Sequence, residues 1–157
     1  MIISDSHGHI ANLKHVMGFA KKIGAKAIIH CGDWNTLETV DMVLSSRIPL
    51  YAVLGNADVR PEVGDRLKVK GKRFAEDFLE FELGGRKIGV THRPSDIKKY
   101  FIGEKLDVIF CGHLHSKYES SQTQIKIIRP GAIVQGINFA VYDTESGKIE
   151  FINDEQN

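Results

Sequence analysis

Short apolar runs and amphipathic segments take turns along the first part of the chain, the pattern that alternating strands and helices leave in a sequence. Ile2-Ile3 is a very short buried run. Ile10, Leu13, Val16, Met17, Ala20 and Ile23 then recur at helical spacing, and Gly24 supplies a stop signal. The run from Ala27 to Cys31 predicts a second strand. Thr36 suits the N-cap of a helix carrying Leu37, Val40, Val43 and Leu44, which ends before Pro49, and Leu50 to Leu54 predicts a third strand. Up to Gly55 this is the pattern of parallel α/β units.

The stretch from Ala57 to Lys72 is polar, holds Pro61, Gly64 and Gly71, and reads as a loop with one helical turn at most. Leu79, Phe81 and Leu83 alternate with Glu80 and Glu82, and Gly84-Gly85 turns the chain into Ile88 to Thr91, an antiparallel pair with one wet face. A short helix is expected over Ser95 to Phe101, and strands at Val108 to Cys111, Ile125 to Ile128, Phe139 to Tyr142 and Ile149 to Ile152. Parallel units followed by a β-rich tail suit either one mixed sheet or two sheets packed face to face with helices outside.

Composition narrows the function classes. At 157 residues the chain suits one domain, 1–157, whose core needs no disulfide or metal staple for stability. Twenty-one basic against 20 acidic side chains leave no footprint for gripping long duplex nucleic acid. The absence of a leader-like segment or a long apolar stretch predicts a soluble, cytoplasmic protein without a membrane partner. Two cysteines 80 positions apart, Cys31 and Cys111, form no disulfide framework and suit small buried packing in a reducing compartment. Gly147-Lys148 lacks the rest of a phosphate-binding loop.

The predicted strands share an ending. Asp5 and His7 follow the first, Gly32-Asp33 the second, Gly55-Asn56 the third, His92 the second hairpin strand, and Gly112-His113-Leu114-His115 the run from Val108. Ligands of open α/β sheets bind outside the carboxyl ends of the strands, so these groups can converge on one point. Residues two apart in extended chain point the same way, which would pair Asp5 with His7 and His113 with His115. Two carboxylates, one amide and four imidazoles exceed what one ion needs. Two divalent ions sharing a carboxylate, about 3.5–4 Å apart, are the usual tool for in-line attack on phosphorus. Their four positive charges less two carboxylates leave a surplus that suits a phosphoryl anion. Mixed nitrogen and oxygen donors without thiolate fit manganese, iron, nickel, zinc or magnesium, with manganese favoured here.

These blocks, Asp5-Ser6-His7, Gly32-Asp33, Gly55-Asn56-Ala57-Asp58, His92 and Gly112-His113-Leu114-His115, resemble those of the calcineurin-like metallophosphoesterases. The small size, Ile29-His30-Cys31-Gly32-Asp33, and Arg129-Pro130-Gly131-Ala132, similar to an Asn-Pro-Gly-Ser block, resemble the small stand-alone phosphodiesterase branch. The resemblance implies an α/β fold of two mixed sheets packed as a sandwich flanked by helices, four layers in the order αββα. It implies that Asp5, His7 and His115 hold one ion, that Asn56, His92 and His113 hold the other, and that Asp33 bridges them. It further implies a metal-bound hydroxide attacking the phosphorus of a small or nucleotide-like phosphodiester, with Asn56 helping to orient the phosphate. Asp33 and Asn56 are thus the expected catalytic residues.

The chain departs from that pattern in places. Ala57 stands where some relatives carry a histidine that assists the leaving group, and Arg93-Pro94 stands where Gly and another His often follow. Arg93 could contact a substrate phosphate or point into water. Asp58 is expected to hold its loop. The N-terminus is a few residues shorter than usual, which would cost stability or mean a natural start upstream. His9, His15 and His30 read as ordinary structural or surface residues, and Trp34 as a packing residue or a wall of the site. Two competing readings are a non-catalytic metal-binding interaction module on the same fold, as in the retromer scaffold subunit, and a nuclease for short single strands. Physiological substrate and oligomeric state are open at this level.

Overall fold

A computed structural model of the chain describes residues 1–70, 73–101, 103–120 and 125–153. The first apolar run forms β1 (Ile2–Ile3), followed by α1 (Ile10–Lys22), β2 (Ile28–His30), α2 (Leu37–Ser45) and β3 (Leu50–Ala52). The Thr36 hydroxyl accepts the Thr39 N–H at 3.3 Å and starts α2, as its sequence position suggests. The three strands pair in parallel, Ile2 opposite Ile29 and Ile29 opposite Tyr51.

The predicted polar loop contains instead α3 (Pro61–Lys70), with β4 (Arg73–Phe74) joining the edge of the sheet beside β3. Pro61 opens the helix, where its missing N–H costs nothing. The helix buries only Val63, Gly64 and Leu67, so its apolar stripe is too thin to stand out from the charged face around it. Gly71 and Lys72, the end of that loop, lie outside the described residues.

The hairpin is β5 (Phe78–Leu83) and β6 (Arg86–Thr91), in the expected register with Phe81 opposite Ile88. A 3-10 turn at Pro94–Asp96 leads into α4 (Ile97–Phe101), then β7 (Val108–Phe110). The tail adds β8 (Lys117–Ser120), β9 (Lys126–Pro130), β10 (Phe139–Tyr142) and β11 (Ile149–Ile152). β8, Lys-Tyr-Glu-Ser, has too little apolar character to announce a strand; it pairs antiparallel with β9 at a sheet edge.

Two sheets result, ordered β11-β10-β1-β2-β3-β4 and β5-β6-β7-β9-β8. Successive side chains of a strand point to opposite faces, and in the first sheet both faces are covered. Ile3, Ile28, Leu50 and Ala52 pack against Leu13, Val16, Val40, Val43 and Leu67 of the helices. Ile2, Ile29, Tyr51 and Val53 face Phe81, Ile88, Val90, Val108 and Phe110 of the second sheet. The short α4 lies on that sheet's outer side, where a Cβ on Gly89 would meet the Phe101 ring at 3.1 Å. This is the expected α/β sandwich of two mixed sheets with flanking helices, and it places the carboxyl ends of β1, β2, β3, β6 and β7 at one end.

Leu67 is fully buried on α3 whereas Val69 is 77% exposed. Leu67→Ala should cost about 2–5 kcal/mol in urea unfolding, and Val69→Ala within about 0.5 kcal/mol; equal effects would contradict the helix packing.

Candidate metal centre

The strands stop short of their functional residues. β1 ends at Ile3 and β7 at Phe110, so Asp5, His7, His113 and His115 sit in turns beyond the sheet. Asp5 (φ 53°), His7 (42°), Asp33 (61°), His113 (71°) and His115 (56°) all adopt left-handed backbone conformations. The alternation of an extended strand therefore does not pair them, contrary to the spacing argument: tight turns bring His7 to Asp5, whereas they send His115 toward Asp5 and His113 toward His92. Such conformations cost roughly 1–2 kcal/mol per residue without glycine, and they persist where the surroundings over-determine them.

Hydrogen bonds between the loops supply that constraint. Asp5 N–H donates to the Gly32 carbonyl at 3.0 Å, His7 N–H to Asp33 O at 3.0 Å, and Gly112 N–H to His92 O at 2.8 Å. The Ala57 N–H donates to Asp33 Oδ1 at 2.8 Å and the His113 N–H to Asp5 Oδ2 at 3.1 Å. Asp58 accepts from four backbone donors: Oδ2 from Asp33 N at 3.0 Å and Gly55 N at 2.8 Å, Oδ1 from Trp34 N and Asn35 N at 2.8 Å each. Burial pushes its carboxyl up while the Asn35, Gly55 and Trp34 N–H groups pull it down. The expectation that Asp58 holds its loop understated its reach, since it also holds the loop after β2. Two glycines permit the close approach: a Cβ on Gly55 would strike the Asp33 carboxylate, and one on Gly112 the Ser4 hydroxyl and Asp5 Oδ2.

A second brace is His30. Its Nδ1 accepts the Gly32 N–H at 3.1 Å, so Nε2 carries the proton and donates to Ser6 Oγ at 3.1 Å; Ser6 Oγ in turn donates to Asp33 O at 3.3 Å. The ring stacks on Trp34 at 3.5 Å, and the Trp34 indole N–H donates to Val53 O at 3.1 Å. Both rings are core, as the ordinary reading of His30 expects. The loop after β9 closes the set: Ile133 N–H donates to Ser4 O and Val134 N–H to Asp5 O, while Asn12 and Asn138 side chains hold Ile133 O and Ala132 O. Asn12 and Asn138 were missed because single amides far from any motif carry no local signal.

The result is a bowl. Asp5 and Asp33 form its floor, 0% and 2% exposed, with His92 at 4%; His7, His113 and His115 are half-buried and Asn56 is exposed at the rim. Asp5 Oδ1 lies 3.9 Å from His7 Nε2 and 3.4 Å from His115 Nε2. Asp33 Oδ2 lies 3.4 Å from both His7 Nε2 and His92 Nε2. Donor atoms that share an ion at about 2.1 Å stand about 3.0–3.5 Å apart at angles of 90–110°, so most of these separations match edges of a coordination shell. Among the described residues, Asp5 Oδ1 is buried and has no hydrogen-bond donor, an arrangement that a cation would satisfy. Asp5, His7 and His115 form one group able to hold an ion, and Asp5, Asp33 and His92 another. His113 falls in neither; its ring stands edge-on to His92 at 5.2 Å between centroids.

Electrostatics keep Asp33 ionised. Burial favours a neutral Asp33, but the His92 ring and the Ala57 N–H outweigh it and hold the carboxyl below its ordinary value. Burial likewise favours neutral His92, but the Asp33 carboxylate and the Cys31 carbonyl win and raise it. His92 Nδ1 points at Cys31 O, 2.8 Å away, and Nε2 at Asn56 Oδ1, 3.1 Å away, which aims Nε2 into the bowl. Burial, then the fields of His92 and Arg93, lower His113. Arg93 is exposed, borders a cleft beside Asn56 and His92, and forms no ion pair among the described residues. His9 caps α1, its Nδ1 accepting Asn12 N–H, and His15 is exposed on that helix. Cys31 and Cys111 are buried free thiols, both pushed up by burial, Cys111 to about 12.

Asp58→Asn replaces one acceptor oxygen by a donor facing two N–H groups and should cost at least about 2 kcal/mol, given 1–3 kcal/mol per buried donor left unmet; an unchanged urea midpoint would contradict the brace. His30, pushed down to about 3 chiefly by burial, stays neutral in the folded state while the unfolded chain protonates near 6.5. Its contribution is complete above that value and falls as pH drops from there toward 3, by up to about 1.4 kcal/mol per pH unit. The slope of unfolding free energy between pH 6 and pH 4 should therefore shrink in His30→Gln; the same slope in both proteins would refute the assignment.

Comparison with known proteins agrees with this architecture. The model of the calcineurin-like phosphoesterase superfamily domain matches residues 1–147. Phosphodiesterase MJ0936 of Methanocaldococcus jannaschii is 26% identical over 157 aligned positions, covering 92% of each chain. The solved structure of an archaeal phosphodiesterase superposes with a TM-score of 0.84 at 24% identity, over 97% of each chain. The phosphoesterase Yfce of E. coli superposes at 0.68 with 16% identity, over 100% of this chain and 98% of its own. With the family model spanning nearly all of its length, the chain belongs to the calcineurin-like phosphoesterase superfamily.

Proposed function

We propose that this chain is a metal-dependent phosphodiesterase that hydrolyses small or nucleotide-like phosphodiesters at a two-ion centre of Asp5, His7, Asp33, Asn56, His92, His113 and His115, within one domain, 1–157. The observation that carries the proposal is the pair of buried carboxylates with imidazole nitrogens 3.4–3.9 Å from their oxygens, one of those oxygens without a hydrogen-bond donor among the described residues. Asp33 would bridge the two ions, because His7 Nε2 and His92 Nε2 each lie 3.4 Å from its Oδ2. Two divalent ions, with manganese favoured and iron, nickel, zinc or magnesium as the other candidates, would acidify a water and neutralise phosphoryl oxygens.

The chain's own residues then set the rest. Asn56, exposed at the rim beside His92, has an amide NH₂ free to donate to a phosphoryl oxygen. The water oxygen bonds to phosphorus as the opposite ester P–O bond breaks, giving an alcohol and a phosphomonoester. Ala57, whose side chain is a methyl group, offers no acid to the departing alkoxide. The proton must come from water, which favours good leaving groups. A purely structural interaction module would not need every ligand position filled, and all are filled here. The two buried free thiols suit a cytoplasmic setting. Among the described residues no helix is long and apolar enough to cross a membrane.

Protein stripped with chelator and reloaded with manganese should hydrolyse bis(4-nitrophenyl) phosphate, and Asp33→Asn and His113→Ala should each lose at least about 100-fold, more than a change outside the ligand set would cost. Equal rates for stripped and reloaded protein would overturn the reading. Metal retention should also fall as pH drops through about 6.5, because imidazoles bind ions only when neutral; full retention at pH 4 on calorimetric titration would contradict the histidine ligands.

A further inference from the structure

Beside the bowl, on the Asn56 and His92 side, lies an open cleft of about 300 Å³ whose lining includes Glu76, Asp77, Arg93 and Asp96. We infer that this cleft is a specificity subsite for a neutral, hydroxyl-bearing ester group, a sugar or sugar-like alcohol that stays on phosphorus, with Arg93 holding the phosphate and Asp77 and Asp96 accepting from the hydroxyls. The inference rests on the phosphodiesterase reading and names the substrate class for it.

Charge selects the class. Glu76 is already paired with Lys68 at 2.9 Å, whereas Arg93, Asp77 and Asp96 form no ion pair among the described residues. A cation in the cleft would meet Arg93 and the ions of the adjacent centre, and an anion would meet two carboxylates. A hydroxyl group meets neither penalty and can donate to the Asp77 carboxylate and to Asp96, whose Oδ1 accepts from Ser95 Oγ at 3.5 Å. The guanidinium fork suits phosphate oxygens, and Arg93 lines the same cleft as Asn56.

The wall is also held in place. Thr91 Oγ1 donates to the Asp77 carbonyl at 3.2 Å, tying the entry of β5 to the strand that delivers His92. Phe78, next in chain, stacks on Tyr100 at 4.5 Å and meets Phe101 edge-on at 5.9 Å, which joins β5 to α4. The Asp96 N–H donates to Arg93 O at 3.0 Å, so the turn begun by Pro94 presents Arg93 and Asp96 to the same cleft. Such fixed polar groups discriminate strongly, because an analogue that lacks the matching hydroxyl leaves them unpaired.

The test compares manganese-loaded wild type on three diesters with the same 4-nitrophenolate leaving group: thymidine 5′-(4-nitrophenyl) phosphate, bis(4-nitrophenyl) phosphate and 4-nitrophenyl phosphorylcholine. The thymidine ester should lead in kcat/KM by about tenfold, the worth of one hydrogen bond to a charged acceptor. Asp77→Ala and Asp96→Ala should collapse its ratio to the bis ester, and Arg93→Ala should lower all three substrates alike. Calorimetry supplies a second readout: thymidine 5′-monophosphate should bind about tenfold more tightly than inorganic phosphate, a gap that Asp77→Ala closes. Preference for the choline or bis ester, or Asp variants that slow every substrate in proportion, overturns the subsite. Hydrolysis without any preference overturns the subsite alone, whereas a binding preference without hydrolysis of any diester overturns the phosphodiesterase reading and leaves the subsite standing.

Discussion

Four backbone N–H groups from two different loops end on one carboxylate, that of Asp58. That convergence is the constraint on which the candidate metal centre depends. The loop after β2 carries Asp33 and the loop after β3 carries Asn56, and neither has regular structure of its own. Without a shared acceptor their donors would turn to water and the two ligands would move independently. With it, Asp33 is forced into a left-handed turn and its carboxylate lies under Gly55, where only a residue without Cβ leaves room.

The centre stores strain and spreads its cost. Five of its seven proposed ligands carry positive φ, and the compensation comes from bonds between loops, not within them. His30 and Ser6 link the loops after β1 and β2, Gly112 reaches His92, and the segment after β9 returns to Ser4 and Asp5. Asp5, His7, Asp33, His92 and His113 each share a hydrogen bond with a strand end other than their own. The sandwich makes this possible, because its parallel strands discharge their carboxyl ends side by side from both sheets.

Elements with one strong period were legible from the chain: α1, α2, the hairpin β5 and β6, and the buried runs of β1, β2, β3 and β7. α3 was not, because Val63 and Leu67 are too few apolar positions among Glu62, Asp65, Arg66 and Lys68. β8 was not, because an edge strand can be polar and is recruited by its neighbour's free backbone groups. The candidate ligands were legible as a set, since Asp, Asn and His after each buried run is a pattern that packing alone does not produce. Their geometry was not: the two-residue spacing of Asp5 with His7 and of His113 with His115 suggested an extended strand, and the pairs lie in left-handed turns that send His113 toward His92 and His115 toward Asp5.

Sequence by itself determined which strands are buried, that the polar groups worth watching follow them, and that glycines stand where backbones must meet. Those are local properties: a run of apolar side chains must find a core, and a missing Cβ is written in the residue itself. Tertiary structure decided the partners of Asp58 and His30, the orphaned oxygen of Asp5, and the meeting of Arg93 with Asp77 and Asp96 at one cleft. Contacts between residues far apart in sequence depend on how two sheets stack and where their strands stop, and no short window of the chain carries that information.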